Sequence, residues 1–295
     1  MEIYYFSTTG NSLSAARMIA KRFTGTRLIS IPSTRSLARI CFESKTIGLV
    51  FPVYHATFGE SGLPALVVDF IKRIENPSDF YIFAACTHSG YPGTTRENLN
   101  ALLSARGGKL SASIDLRLGM PYSTRQKLAH LFFHRPLSVN PVKEQQQRME
   151  LEDRATDRIE RLCRAIEQRS VVPFRRSSRL HRALTKSFLT LQKGFAIKRY
   201  RKLSGMKSAD LRALIRRADR SFTVSSSCDG CGICAGVCPV ENIELVASRP
   251  QWLGACIGCN ACYQWCPQEA IDGKIVEFEK RYHNRGIELT DMLIK

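Results

Sequence analysis

A repeated cysteine pattern near the C-terminus constrains this chain more than any other feature of its sequence. The first run consists of Cys228, Cys231, Cys234 and Cys238, followed by Pro239. The second run consists of Cys256, Cys259, Cys262 and Cys266, followed by Pro267. In both runs two residues separate neighbours among the first three cysteines, and three residues precede the fourth. Duplication of one small metal-binding unit is the simplest explanation.

The cysteine spacing is typical of ligands to a 4Fe-4S cluster, which needs four thiolates. Two gaps of two residues let three cysteines converge on three iron atoms from one tight loop, so the fourth ligand must come from elsewhere. In two-cluster ferredoxins the fourth cysteine of each run binds the other cluster. The expected ligand sets are Cys228, Cys231, Cys234 and Cys266, and Cys256, Cys259, Cys262 and Cys238. Zinc held by four cysteines is the alternative.

The cysteine count also bears on the cellular compartment. Eight of the 11 cysteines lie within residues 228–266, and the chain opens on the strand-like Ile3–Phe6 without the marks of a secretory signal. A reduced, metal-bound state therefore fits better than disulfides. Since no apolar run reaches about 18 residues, we expect a soluble, cytoplasmic protein. Cys41, Cys86 and Cys163 are expected to be small buried fillers, with a redox role for Cys86 as the alternative.

The first 120 residues alternate short β-branched apolar runs with helical patterns, which is the rhythm of βαβ units. The expected strands are Ile3–Phe6, Arg27–Ile31, Thr46–Tyr54, Phe80–Thr87 and Ser111–Leu118. Helices are expected near 11–23, 64–75 and 94–106, whereas the crossover near 34–43 has the weakest helical pattern. The alternation predicts an α/β doubly wound parallel sheet.

A hydroxyl-rich loop joins the first expected strand to the first expected helix. Its residues are Ser7, Thr8, Thr9, Gly10, Asn11 and Ser12. Hydroxyl donors, free backbone amides and the positive end of the helix dipole suit a phosphate dianion. An ordinary capped helix start is the alternative. The position favours phosphate, because flavodoxin-like sheets hold FMN beyond the carboxyl ends of their strands.

Two further loops follow the third and fourth expected strands. They contribute the candidate flavin-ring residues Pro52, Val53, Tyr54 and Phe58, then His88, Ser89, Gly90, Tyr91 and Gly93. A flavin ring needs flat apolar faces and nearby backbone donors, which the aromatic residues and glycines of these loops can offer. His55 and His88 are candidate proton donors, with hydrogen bonding inside their own loops as the simpler alternative. No catalytic residue is assigned.

Taken together, these motifs resemble the EFR-type ferredoxins, in which a flavodoxin-like domain is fused to a two-cluster ferredoxin domain. The matching segments are residues 7–12, Phe51–Tyr54, Gly90–Gly93, both cysteine runs and Arg281–Asn284. The resemblance implies FMN, two 4Fe-4S clusters and electron transfer in anaerobic metabolism. Thr8 departs from it, because many relatives have glycine there, but the hydroxyls of the loop remain.

The expected architecture has four parts. Residues 1–121 form a flavodoxin-like FMN-binding domain, and 122–220 a basic, mostly helical connecting region. Residues 221–275 form a small α+β bacterial-type 2[4Fe-4S] ferredoxin domain, and 276–295 a C-terminal tail. In the connecting region, Leu180, Leu184, Phe188, Leu191 and Phe195 recur at the spacing of one apolar helix face, and Gly205 precedes a second helix.

The positive charge of the chain is concentrated in the connecting region. Residues 175–220 hold 15 Lys plus Arg against 2 Asp plus Glu, whereas residues 221–295 hold 6 against 9. Three interpretations compete: a solvated linker, a docking face for an acidic redox partner or for this chain's own ferredoxin domain, and a contact with an anionic membrane surface. Nucleic acid is the least favoured partner, because no DNA- or RNA-binding motif accompanies the charge.

Three functions remain open from the sequence. The favoured one is an electron relay between the clusters and FMN that serves an unidentified redox partner protein, since a flavin can exchange one or two electrons. The second is an FMN-dependent reductase of a quinone or a small organic acceptor. The third is a redox-sensing regulator, which would require DNA binding by the basic segment.

Overall fold

The computed structural model describes residues 1–58, 60–119, 141–172, 179–276 and 281–294. These residues form two compact units. The first contains Met1–Ser7, Asn11–Gly119 and Arg148–Lys193, and the second contains Thr8–Gly10, residues 141–147 and the chain from Gly194 onward. Within the described ranges, none of the helices combines the length and apolar character needed to cross a bilayer.

Five parallel strands form the sheet of the first unit. They are β1 (Glu2–Tyr5), β2 (Arg27–Ser30), β3 (Thr46–Pro52), β4 (Tyr81–His88) and β5 (Leu110–Arg117). Their spatial order is β2-β1-β3-β4-β5, which is the order of a flavodoxin-like doubly wound sheet. The predicted fold class is therefore confirmed, and the strand bounds differ from the expected ones by one or two residues. Buried β-branched and aromatic runs fill both faces of the central strands.

Three helices follow strands in the first half of this unit. They are α1 (Asn11–Ala20), α2 (Ala65–Lys72) and α3 (Thr95–Ser104). The crossover from β2 to β3 holds only a short 3₁₀ turn, Pro32–Thr34, and no α-helix. Ile40 in that crossover forms a β-bridge with Ile74 instead, so the segment is tied down by backbone hydrogen bonds.

The larger part of a fourth helix, which comes from the region predicted as a connection, lies in this unit. Helix α4 (Pro141–Glu167) inserts Ala155, Ile159 and Leu162 into the same apolar cluster as α1 and the sheet. Its C-terminal end is held by Tyr81, whose hydroxyl donates to the carbonyl of Ser170 at 2.8 Å. The apolar spacing along α4 therefore serves the core of the sheet.

The second unit is built from short elements. Its helices are the C-terminal part of α5 (Arg179–Ser204), α6 (Leu211–Arg217), α7 (Ile233–Gly236), α8 (Ala261–Gln264) and α9 (Leu289–Met292). Its strands are β6 (Phe222–Val224), β7 (Ile243–Val246), β8 (Arg249–Trp252) and β9 (Ile271–Gly273). Strands β7 and β8 pair as an antiparallel hairpin, and β6 pairs antiparallel with β9.

The apolar face predicted for α5 is wrong over its second half. Leu191 and Phe195 are about half exposed, at 55% and 47%, whereas Gln192 and Ala196 are buried. The buried stripe of the helix is therefore rotated by one residue, because packing selects the face with small and amphipathic side chains. The side chains of Leu180, Leu184 and Phe188 lie outside the described residues.

We expect Gly48→Ala to destabilise the first unit by about 1–3 kcal/mol, since overpacking a filled core has that cost. A Cβ atom at Gly48 would collide with Cζ of Phe83, which is fully buried. Urea denaturation measures the change. The control is Gly194→Ala in α5, where a Cβ atom meets nothing within 4 Å among the described residues. We expect it to stabilise by about 0.5–1 kcal/mol through helix propensity, and equal effects at both sites would contradict this account of the core.

Candidate iron–sulfur and phosphate-binding sites

The structure brings three cysteines of the first run together with one cysteine of the second. The resulting first cavity is lined by Cys228, Cys231, Cys234 and Cys266. The turn before α7 makes this possible, because Gly230 and Gly232 adopt left-handed backbone with φ of 75° and 77°. A side chain at Gly230 would also collide with the carbonyl oxygen of Ser248, 2.7 Å from its Cβ position.

A second cavity repeats this arrangement with the runs exchanged. It is lined by Cys238, Cys256, Cys259 and Cys262. Asn260, with φ of 56°, precedes α8 just as Gly232 precedes α7. The four residues predicted as one ligand set thus surround each cavity. Across the described ranges, no three His, Cys, Asp or Glu side chains are arranged to hold a single metal ion.

Backbone amides already donate to sulfur around the second cavity. Asn242 N–H donates to Sγ of Cys238 at 3.2 Å, and Gly258 N–H donates to Sγ of Cys256 at 3.3 Å. The side chain of Asn242 is fixed in turn, since its Nδ2 donates to Asp219 at 2.8 Å. Such donors favour the thiolate form of a cysteine.

Burial nevertheless opposes thiolate formation at these cysteines. Desolvation raises the pKa of Cys234 to about 11 and of Cys256 to about 12. It raises the pKa of Cys259 and Cys262 well above the usual range, with the neighbouring sulfurs adding to the rise. Cluster ligands are thiolates. A metal centre bound here would supply the positive charge that displaces these protons.

The hydroxyl-rich loop leaves β1 and enters α1 at the carboxyl edge of the sheet. Ser7 Oγ is buried and finds no hydrogen-bond partner among the described residues. Ser12 Oγ shares a hydrogen bond of 2.8 Å with Thr87 Oγ1 at the end of β4. A buried hydroxyl without a partner is costly unless an acceptor joins it, so Ser7 fits the phosphate oxygen expected at this helix N-terminus.

The middle of this loop, Thr8–Gly10, is part of the second unit. Trp265 Nε1 donates to the carbonyl of Thr8 at 2.7 Å, and Asn284 N–H donates to the carbonyl of Thr9 at 2.7 Å. Gly10 has φ of 87°, and a Cβ atom there would lie 2.9 Å from Cβ of Ile287. No pattern in the sequence predicted the contacts of Trp265 and Ile287, whereas Asn284 lies in a segment that carries the family resemblance.

The candidate flavin-ring residues also lie at the carboxyl edge. Val53 N–H donates to the carbonyl of Thr87 at 2.8 Å, which ties the loop after β3, starting at Pro52, to the end of β4. Tyr54 packs edge-on against Phe6, and Phe58 stacks on His55 with the ring centroids 6.0 Å apart.

The loop after β4 approaches the same place. A Cβ atom at Gly93 would lie 3.0 Å from Cβ of Ala56, so glycine permits the two loops to meet. Tyr91 is 38% exposed, and His88 is the last residue of β4, followed by Ser89 and Gly90. The two loops are therefore adjacent at one edge of the sheet.

The remaining cysteines divide into two kinds. Cys86 and Cys163 are fully buried, as predicted, and burial raises the pKa of Cys163 to about 11. The prediction was wrong for Cys41, which is exposed and donates to a Glu75 carboxylate oxygen at 3.2 Å. The crossover that carries Cys41 forms no helix and leaves this side chain at the surface.

Comparison with known proteins supports the C-terminal assignment. Residues 215–271 match the family described as a 4Fe-4S dicluster domain. No curated protein matches the chain. A solved structure described as a flavoprotein from Bacteroides uniformis is 15% identical, and the match covers 39% of this chain and 87% of that one with a TM-score of 0.28. The C-terminal region therefore contains a 4Fe-4S ferredoxin domain, and the N-terminal sheet is flavodoxin-like by its own topology.

Proposed function

We propose that this protein is an EFR-type iron–sulfur flavoprotein that transfers electrons between two 4Fe-4S clusters and FMN on behalf of a redox partner. The observation that carries the proposal is the pair of cavities, each lined by three cysteines of one run and one of the other. One cluster is held by Cys228, Cys231, Cys234 and Cys266, and the other by Cys238, Cys256, Cys259 and Cys262. When bound, FMN supplies the exchange between one-electron and two-electron chemistry.

The chain's own groups have defined tasks in this proposal. Ser7, Thr8, Thr9, Gly10, Asn11 and Ser12 hold the FMN phosphate through hydroxyls and backbone amides at the start of α1. The two loops after β3 and β4 bind the ring. Tyr54, Phe58 and Tyr91 offer aromatic faces, and Gly90 and Gly93 let the backbone approach it. The cluster ligands belong in a reducing compartment, so we place the protein in the cytoplasm.

A redox partner with an acidic surface is proposed to dock on α5. This helix contains no acidic residue, and Phe195, Lys198 and Lys202 are exposed on it. An exposed aromatic residue beside cations suits a transient electrostatic contact. Binding to an anionic membrane surface is the weaker alternative, because few apolar side chains point outward from this part of the helix.

Because each cluster takes its fourth ligand from the other cysteine run, the iron content after a double substitution should depend on which two cysteines are replaced. Anaerobically purified wild-type protein should contain about eight iron atoms, eight sulfides and one FMN per chain. Cys228→Ser with Cys266→Ser removes two ligands of one cluster and should leave about four iron atoms. Cys228→Ser with Cys238→Ser removes one ligand from each cluster and should reduce the iron content of both.

The opposite pattern, with half the iron retained only after Cys228→Ser with Cys238→Ser, would show that each run serves its own cluster. Full iron without flavin in the wild-type protein would remove the relay and leave a ferredoxin. Stoichiometric zinc in place of iron would overturn the cluster assignment.

Ser7→Ala should weaken FMN binding by about 10-fold or more, because a hydrogen bond to a charged group contributes about 1.5–3 kcal/mol. Riboflavin lacks the phosphate, so its affinity should not change. Fluorescence titration of both ligands measures the difference. Ser33→Ala is the matched control, since its exposed hydroxyl bonds only a local carbonyl among the described residues. An equal loss for both ligands would contradict the phosphate role of Ser7.

Two substitutions of opposite charge at Gly194, compared with each other, test the docking face on α5. A side chain fits there, because nothing among the described residues lies within 4 Å of its Cβ position. With a reduced acidic bacterial ferredoxin as donor, Gly194→Glu should slow reduction of this protein, and Gly194→Lys should not. The difference should shrink as ionic strength rises. Equal rates would contradict docking on this face, and co-sedimentation with phosphatidylglycerol vesicles measures the membrane alternative.

A further inference from the structure

The two cysteine-lined cavities differ in their polar linings. In the second cavity, the indole Nε1 of Trp252 is buried and has no hydrogen-bond partner among the described residues. No buried side-chain donor of this kind lines the first cavity within the described ranges. A buried donor without an acceptor is costly. The N–H of Trp252 is therefore matched to an acceptor in the second cavity.

The position of Trp252 is set by its neighbours. It ends β8 and pairs with Ile243 of β7. Its ring stacks on Phe222, with centroids 4.8 Å apart and an interplanar angle of 17°. Cys262 lines the same cavity, so the indole lies on the wall that surrounds the cysteine sulfurs. An indole can only donate through its nitrogen, so the matching ligand atom is an acceptor such as sulfur.

We propose that Trp252 donates a hydrogen bond to a sulfur atom of the cluster held by Cys238, Cys256, Cys259 and Cys262, and thereby sets its reduction potential apart from that of the other cluster. The inference rests on the proposed function, because a cluster must occupy the cavity. Reduction adds negative charge to the cluster and its sulfurs. A donor facing a sulfur stabilises that charge and raises the potential.

Other polar groups around the second cavity would also change the reduction potential of a cluster there, some by raising it and some by lowering it. The carboxylate of Asp219 is buried beside this cavity, and its negative charge would lower the potential of a nearby cluster. Its Oδ2 accepts from Asn242 Nδ2 and from Gly254 N–H, both at 2.8 Å, which spreads that charge. The amide of Asn260 also lines this cavity, with a buried Oδ1 that has no partner among the described residues. The effect of Trp252 is therefore measured as the change in the reduction potential of this cluster when the indole N–H alone is removed.

Trp252→Phe removes that N–H and keeps an aromatic ring for stacking on Phe222. In a redox titration of the full chain followed by electron paramagnetic resonance, we expect one cluster to shift to a more negative potential and the other to stay. Trp265→Phe is the matched control. The Trp265 indole lies beside Cys266 in sequence but donates to the carbonyl of Thr8, so its removal should leave both potentials in place.

Unchanged potentials in Trp252→Phe, or equal shifts in both variants, would overturn the inference. If Trp252→Phe loses the cluster, a measurement on the wild-type protein still tests the proposal. With tryptophan labelled with ¹⁵N in the indole ring, pulsed electron paramagnetic resonance should show coupling to one of the two indole nitrogens. Coupling to neither would overturn the role of Trp252. A wild-type chain without two clusters would instead overturn the proposed function, which the iron content reports separately.

Discussion

The exchange of one cysteine between two nearly identical loops is the constraint on which the second unit depends. Each loop can bring three thiols to one cavity, but its fourth thiol lies in the opposite cavity. Neither cavity can form unless both loops and the hairpin between them are folded. The left-handed residues Gly232 and Asn260 turn the chain at matching points, so the duplication in sequence becomes a duplication in structure.

The same exchange concentrates eight thiols in a small volume. Burial and the neighbouring sulfurs raise the pKa of Cys256, Cys259 and Cys262, whereas the backbone N–H of Gly258 lowers the pKa of Cys256. Folding of this region and uptake of a positively charged metal centre are therefore coupled. The protein must lose thiol protons as it gains the metal.

The hydroxyl-rich loop shows a related division of roles. The carbonyls of Thr8 and Thr9 accept from Trp265 and Asn284, so the oxygens that would repel an anion are engaged by donors. The hydroxyl of Ser7 has no such partner among the described residues. A loop whose acceptors are satisfied and whose donor is left over is matched to an anionic ligand.

The sequence by itself determined the five strands, the loops at their carboxyl ends and the two cysteine runs, because these follow from local spacing. A period of two or a gap of two residues is a property of a short segment. Tertiary packing decided which helix completes the sheet core and that Gln192, instead of Leu191, is buried on α5. It also decided that the indoles of Trp252 and Trp265 meet different surroundings. These outcomes depend on neighbours distant in the chain, whose positions no local pattern encodes.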